Sequence, residues 1–337
     1  MVKMRLGIDL GGSHIAIGVV APEKGEILKK EEQDIEFMQR DELSILHLME
    51  QYIEKFSKNY EIEYIGIAAP GNPNQEELLI ENLVNLGIEK LHLKPLEKRF
   101  NLPIRIKNDS KAAGVAEFKF GSLSKYRDAV FLSLGTGIGS AVFLNGDLLQ
   151  ANRHLGFEIG HMIIDKNGLQ CNCGKKGCFE TYCSMKRFKE NAKKILHIED
   201  ISSQELLEKI KNEIKKIPNN ESILTQYNEN VDSENTQNNK LKLLINDYID
   251  NLIIGLSNVI DIFEPEAISL GGSFVFFEEV FYHRLINEMN KRKYVFNKNS
   301  LPEIVLANLK NDAGIIGAVI DWKLMDLLKL ELIKKKW

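Results

Sequence analysis

Cysteine is scarce in this chain and confined to one place: all four cysteines fall between Cys171 and Cys183. A secreted disulfide framework spreads its cysteines along the chain, so this clustering favours metal binding over disulfides. The N-terminus lacks an apolar segment leading to a small-residue cleavage site, and no run approaches the roughly 20 apolar residues that a membrane span needs. A cytoplasmic protein is the expectation, in a compartment where thiols stay reduced. Basic residues are not in excess either. Lys and Arg number 44 against 48 Asp and Glu, a net charge of −4, so neither nucleic acid nor a membrane surface is an expected partner. Two common nucleotide signatures are also missing: no segment reads G-x-x-x-x-G-K-[ST], and none has G-x-G-x-x-G at a strand-to-helix junction.

What the 337 residues do have is 44% hydrophobic content, ample for a large core and more in keeping with two domains than one. The segment LGIDLGGSHIAIGVV at 6–20 has a partial echo in VFLSLGTGIGSAVFL at 130–144. Each is an apolar run, a glycine-rich turn and a second apolar run, which predicts a β-hairpin whose turn exposes backbone N–H groups. Singly, such a segment reads as no more than a tight turn. A related pair, one from each of two similar lobes facing a shared cleft, suits the phosphates of ATP. A third strand and turn, EAISLGGSF at 266–274, follows a helix predicted from the spacing of Leu244, Tyr248, Leu252, Leu256, Val259 and Phe263.

Between the hairpins, EYIGIAAPG at 63–71 and LPIRIKNDS at 102–110 predict two further strands, and KAAGVAEF after the second predicts a helix. Parallel strands with helical crossovers gather ligands at their carboxyl ends, which makes Gly71, Asn108 and Asp109 substrate-site candidates. Helix capping is the simpler reading of Asn108 and Asp109 from position alone. Further along, Ser202 and Glu205 form a capping box ahead of Leu206, Ile210, Ile214 and Ile217. The polar stretch near 218–240 predicts an exposed insert without chemistry, and the terminal KKKW reads as a solvated helix end.

The segment GFEIGH ends at His161, ten residues before Cys171. His161, Cys171, Cys173 and Cys178 offer three thiolates and an imidazole, sufficient for a closed tetrahedral zinc site, and soft thiolates argue against Mg2+ or Ca2+ as the occupant. Two alternatives stand beside it: an all-cysteine site that includes Cys183, and thiols without metal, Cys183 being the sort of small residue that is simply buried. A closed site has no open position for a catalytic water, so its metal would order the loop. Glu158 precedes His161 by three residues and Glu180 follows Cys178 by two. One metal would thus fix two carboxylates able to accept hydrogen bonds from the hydroxyls of a polyol.

Read together and in order, DLGGS at 9–13, APG at 69–71, NLGI at 85–88, ND at 108–109, GTGIG at 135–139, EIGH at 158–161, CNCGKKGCFE at 171–180 and LGGS at 270–273 carry a resemblance over nearly the whole chain. The chain resembles the ROK family of sugar kinases and related repressors, within the actin-like ATPase superfamily. The resemblance implies a two-lobed α/β fold of the actin-like ATPase (ribonuclease H-like) type, with a nucleotide and sugar cleft between the lobes. Residues 1–121 would form the N-terminal lobe, joined by a C-terminal helix at 314–337, and 122–313 the C-terminal lobe. The implied activity is ATP-dependent phosphorylation of a hexose. Glucose, giving glucose 6-phosphate, is the commonest case, with N-acetylmannosamine and N-acetylglucosamine as alternatives.

The resemblance also implies roles. Asp109 matches the base that takes the proton from the sugar hydroxyl, and Gly71, Asn85, Asn108, Glu158, His161 and Glu180 match positions that hold the sugar. Asp9 matches a residue that positions Mg2+ and phosphate. Gly11, Gly12 and Ser13, and likewise Gly135, Thr136 and Gly137, match the phosphate turns, while Gly271 and Gly272 lie near the nucleoside. Structural Zn2+ at His161, Cys171, Cys173 and Cys178 and a homodimer are implied too. The family's repressors carry a helix-turn-helix segment before the sugar-binding lobes, whereas this chain enters its first hairpin by residue 6, so an enzyme is expected in place of a repressor or sensor. Three positions depart from the family pattern: His14 replaces a lysine, Ile88 a frequent aromatic, and Ser140 a glycine.

Overall fold

The computed structural model describes residues 3–35, 41–150, 157–215, 237–291 and 301–321. The chain first runs through β1 (Met4–Leu10), β2 (His14–Ala21), β3 (Glu26–Asp34), α1 (Glu42–Ser57), β4 (Ile62–Ala69), β5 (Asn72–Asn74), β6 (Leu79–Leu83), β7 (Ile88–His92), α2 (Lys94–Phe100), β8 (Ile104–Asn108) and α3 (Asp109–Phe120). It continues through β9 (Ala129–Leu134), β10 (Ile138–Leu144), β11 (Asp147–Leu148), α4 (Phe179–Cys183), α5 (Met185–Leu196), α6 (Ser203–Lys215), α7 (Gln237–Phe263), β12 (Ala267–Gly271), α8 (Glu278–Lys291), β13 (Glu303–Leu306) and α9 (Ala313–Ala318).

Two five-stranded sheets share one plan, ordered β3-β2-β1-β4-β8 and β11-β10-β9-β12-β13. In each, a three-stranded antiparallel meander continues into two parallel strands. The expected hairpins are β1–β2 and β9–β10, and the expected strands at 63–71 and 102–110 are β4 and β8. Strands β1, β2 and β4 read as nearly continuous apolar runs because both faces of the sheet are covered. At the open edge, β3 carries Lys29, Lys30, Glu31 and Glu32, charges that discourage further strand pairing.

Helices α3 and α9 fill the layer between the sheets. Gly18, Gly7 and Gly66 stand side by side across β2, β1 and β4. A Cβ on Gly7 or Gly66 would collide with the carbonyl oxygen of Ile315 or Ala318, so this row of glycines is what lets α9 lie directly on the sheet. Ala112, Gly114 and Ala116 give α3 small residues on several sides, as a helix packed on more than one face requires. Two segments, 121–128 and 307–312, lead into and out of the second sheet, and Glu117 ties them together. Fully buried near the end of α3, it accepts hydrogen bonds from Ser122 N–H (2.7 Å), Ser122 Oγ–H (2.9 Å) and Leu309 N–H (2.7 Å). Lys107 fastens the other end of α9 by donating to the carbonyls of Gly317 (2.8 Å), Ala318 (3.3 Å) and Ile320.

The chain returns to the first sheet through the short helix α9; the rest of the expected C-terminal helix, residues 322–337 with KKKW, lies outside the described residues. The capping box forms, Ser202 N–H donating to Glu205 Oε2 (2.8 Å) and Glu205 N–H to Ser202 Oγ (3.2 Å), and α6 buries Leu206 and Ile210. Ile217 and 218–236 are likewise outside the described residues, whereas 237–240, expected in the polar insert, already belong to α7. By length and composition α7 is apolar enough to cross a bilayer, but its buried residues, among them Leu241, Tyr248, Leu252, Leu256 and Val259, pack in the core of the second lobe with Phe179, Phe188 and Phe281. Core burial accounts for its apolarity.

Candidate active site

Asp9 lies near the carboxyl end of β1, Gly71 just beyond β4, and Asn108 at the end of β8; the pairings Asp9↔Ala68 and Ala69↔Asn108 bring these ends level. The first glycine turn closes through Gly11 N–H on His14 O (2.8 Å), leaving Ser13 and His14 exposed. Asn85 sits in a 3-10 turn at Val84–Leu86 and covers Gly12, where a Cβ would lie 3.0 Å from that of Asn85. Gly71 has φ +98, and a Cβ there would strike the Glu81 carbonyl, so conformation and space both demand glycine.

Asn108 does cap α3: its Oδ1 accepts from Ser110 N–H and Lys111 N–H, both at 3.2 Å. Asp109 is then the first helical residue, and its Oδ1 accepts from Ser110 N–H at 2.7 Å. Burial raises the Asp109 carboxyl above its ordinary range, against the hydrogen bonds from Ser110. Burial, followed by the charge of Asp109, pushes Asp9 from 3.8 up to about 7, with Lys30 opposing. Both carboxyls therefore hold a proton more tightly than usual, and the charge of Asp109 adds to the effect at Asp9. Gly314, in the first turn of α9, closes over the same carboxylate, since a Cβ there would strike it.

The second glycine turn lies at the corresponding end of the other sheet. Gly135 N–H donates to Gly137 O (2.9 Å) and Thr136 is exposed at the tip. Gly271 pairs with Ser133, and Gly272, at φ +67, would place a Cβ 2.8 Å from Leu134 O, so the third turn lies beside the second. Glu180 reaches this turn from α4, its Oε2 accepting from Ile138 N–H at 2.8 Å. A side chain on Gly137 would displace that carboxylate.

His161, Cys171, Cys173 and Cys178 converge, with all four ligand atoms within 4.8 Å of one another. His161 Nδ1 is 3.7 Å from Cys171 Sγ, and Cys173 Sγ is 3.6 Å from Cys178 Sγ. Zinc–sulfur bonds of about 2.3 Å set the edge of a tetrahedron at about 3.8 Å, so the donor set fits zinc in both chemistry and size. With Nδ1 turned to the sulfur, Nε2 is the ring nitrogen left for another partner. Cys183 belongs elsewhere: it is fully buried, with its thiol directed at Tyr248 O (3.8 Å), which removes the all-cysteine alternative. The helical stretch around Cys183 is divided there, α4 ending at Cys183 and α5 starting at Met185 under a Ser184 cap.

The two halves meet at the start of α3. A Cβ on Gly139 would collide with the Ser110 hydroxyl, and Lys111 Nζ donates to Ser140 O at 2.6 Å. Burial lowers the Lys111 ammonium while the charge of Glu158 acts the other way, so Asp109 and the Glu158 loop share one junction. Sequence reasoning does not reach Ser110, Lys111 or Gly314. A helix starting at Asp109 would have placed Lys111 in its first turn through the spacing from Asn108; nothing local in Gly314 points to Asp9.

The sequence profile of the ROK family matches residues 5–324. The glucokinase of Thermotoga maritima is 29% identical over 328 residues, covering 94% of this chain and 97% of that protein. The xylose repressor of Caldicellulosiruptor bescii is 26% identical over 324 residues, covering 93% of this chain and 76% of the repressor. A solved ROK family glucokinase from Streptomyces griseus, in complex with glucose and AMPPNP, superposes with a TM-score of 0.73 at 23% identity, over 94% of this chain and 98% of that one. The fold is the two-lobed actin-like ATPase fold.

Proposed function

From the premise that the chain belongs to the ROK family, we propose that it is a cytoplasmic ATP-dependent hexose kinase that converts glucose to glucose 6-phosphate. The observation that carries this reading is Asp109 itself: a carboxylate of raised proton affinity at the start of α3, held by Ser110 N–H, beside Asp9 and the first glycine turn. A base of this kind suits phosphoryl transfer, where positioning and charge neutralisation do most of the catalysis.

Asp109 accepts the proton of the C6 hydroxyl as that oxygen bonds to the γ-phosphorus of ATP, and the bond to the bridging oxygen breaks to release ADP. The turns at Gly11, Gly12 and Ser13 and at Gly135, Thr136 and Gly137 face the phosphates, with Gly11 N–H and Gly135 N–H spent in closing them, while Gly271 and Gly272 border the nucleoside. Asp9 would hold Mg2+, which neutralises phosphate charge when bound. Gly71, Asn85, Asn108, Glu158, His161 and Glu180 hold the sugar. His161 offers it Nε2, and Glu180 offers Oε1 because Oε2 is committed to Ile138. Zn2+ at His161, Cys171, Cys173 and Cys178 would order the loop between the two glutamates without an open coordination position.

The test is sugar-dependent ADP release from zinc-replete protein with Mg-ATP and a panel of glucose, mannose, N-acetylmannosamine and N-acetylglucosamine. Glucose should give the highest kcat/KM, and Asp109→Ala should lower it by about 100-fold or more. Absence of turnover with every sugar would overturn the kinase reading; preference for an N-acetyl sugar would overturn glucose as the acceptor.

A further inference from the structure

Ser140 stands in β10 directly after Gly139, and its hydroxyl is not idle. The residue is 2% exposed. Its Oγ–H donates to Phe157 O at 2.5 Å, and its Oγ accepts from Ile159 N–H at 3.4 Å. One hydroxyl therefore grips the peptide groups on both sides of Glu158. Phe157 is held at φ +52, a conformation uncommon for a bulky side chain, and its carbonyl is the one that Ser140 takes. On the far side, Gly160 packs so closely on β10 that a Cβ there would strike Ile138 O. The same residue of β10 is tied to the helix of Asp109 through Lys111 Nζ on Ser140 O, 2.6 Å.

We infer that Ser140 is a positioning residue for the sugar: it fixes the backbone around Glu158 and keeps that carboxylate in register with Asp109. The inference rests on the reading of Glu158 as a sugar-holding group. A side chain whose flanking peptides are both pinned cannot swing as the loop breathes, so its hydrogen bond to a hydroxyl is made in a preformed geometry. With glycine at 140 the segment 157–159 would keep its internal bond, Ile159 N–H on Phe157 O at 3.0 Å, and lose the side-chain tie to β10. With serine, this chain supplies a buried hydrogen-bond pair at the cost of one hydroxyl.

Calorimetric titration of zinc-loaded protein with glucose, mannose and N-acetylmannosamine tests this without requiring turnover. Ser140→Ala removes only the hydroxyl and should weaken binding of the preferred sugar about tenfold, with Mg-ATP affinity within twofold of wild type. Ser140→Thr, which keeps the hydroxyl, should bind sugar within about threefold of wild type. Wild-type sugar affinity in Ser140→Ala, equal loss of sugar and nucleotide affinity, or a wild-type protein that binds none of the three sugars would each overturn the inference. Sugar binding that depends on Ser140 in a protein without kinase turnover would instead uphold it and overturn only the kinase reading.

Discussion

Replacing Asp9 by asparagine should make the protein more stable at pH 8 while abolishing its proposed activity. Asp9 binds a proton up to about pH 7 in the folded chain, against 3.8 ordinarily. Below pH 4 both folded and unfolded chains carry the neutral acid, and Asp9 adds no pH dependence. Between pH 4 and 7 the unfolded chain ionises while the folded one resists, so stability falls as the pH rises; above pH 7 the full penalty applies. At about 1.4 kcal/mol per pH unit the displacement corresponds to about 4 kcal/mol. Asp9 is largely buried yet keeps some exposure to solvent, and the screening this allows reduces the expected gain in Asp9→Asn to ~2 kcal/mol. For a two-lobed chain of this length that is several degrees in thermal midpoint. Differential scanning calorimetry of both proteins at pH 5 and pH 8 in Mg2+-free, chelator-free buffer is the assay. The stabilisation should be larger at pH 8, and added Mg2+ with ATP should favour the wild type alone. A pH-independent difference, or a less stable Asp9→Asn at pH 8, would refute the electrostatic argument.

Two further outcomes follow from the geometry. Metal analysis should find zinc lost in Cys178→Ser and retained in Cys183→Ser, and loss of the metal should lower the thermal midpoint by ~10 °C or more together with sugar binding; zinc loss from Cys183→Ser would contradict the four-ligand cluster. Gly314→Ala should lower kcat about 100-fold with little change in midpoint, because the new methyl would strike the Asp9 carboxylate; wild-type kcat would mean that the carboxylate has room to move.

Much of the local structure was legible because it depends on near neighbours. The two hairpins follow from β-favouring residues flanking glycine turns, α7 from helical spacing, and the α6 capping box from residues three apart. The convergence of His161, Cys171, Cys173 and Cys178 was legible, since the three cysteines share one short loop with His161 close upstream, but the separation of Cys183 from them was not. That required the contact of its thiol with Tyr248 O, made across the core by a helix far along the chain. The neighbourhood of Asp109 also exists only in three dimensions: Asn108 caps α3, as position suggested, and Asp109, bound to Ser110 N–H, comes within reach of the charge of Asp9.

The sequence by itself determined the paired hairpins, the parallel strands whose ends carry the candidate residues, the donor set for a metal and the family pattern that joins them, because turn chemistry, periodicity and ligand spacing are short-range properties of a chain. Tertiary structure alone decided how those pieces act on one another. It set the raised proton affinity of Asp9 through burial and the charge of Asp109, the engagement of Glu180 with the second glycine turn, the seating of α9 on a row of glycines drawn from three strands, and the grip of Ser140 on both sides of Glu158. Each of these depends on desolvation or on contact between segments distant in the chain, and neither exists until the chain is folded.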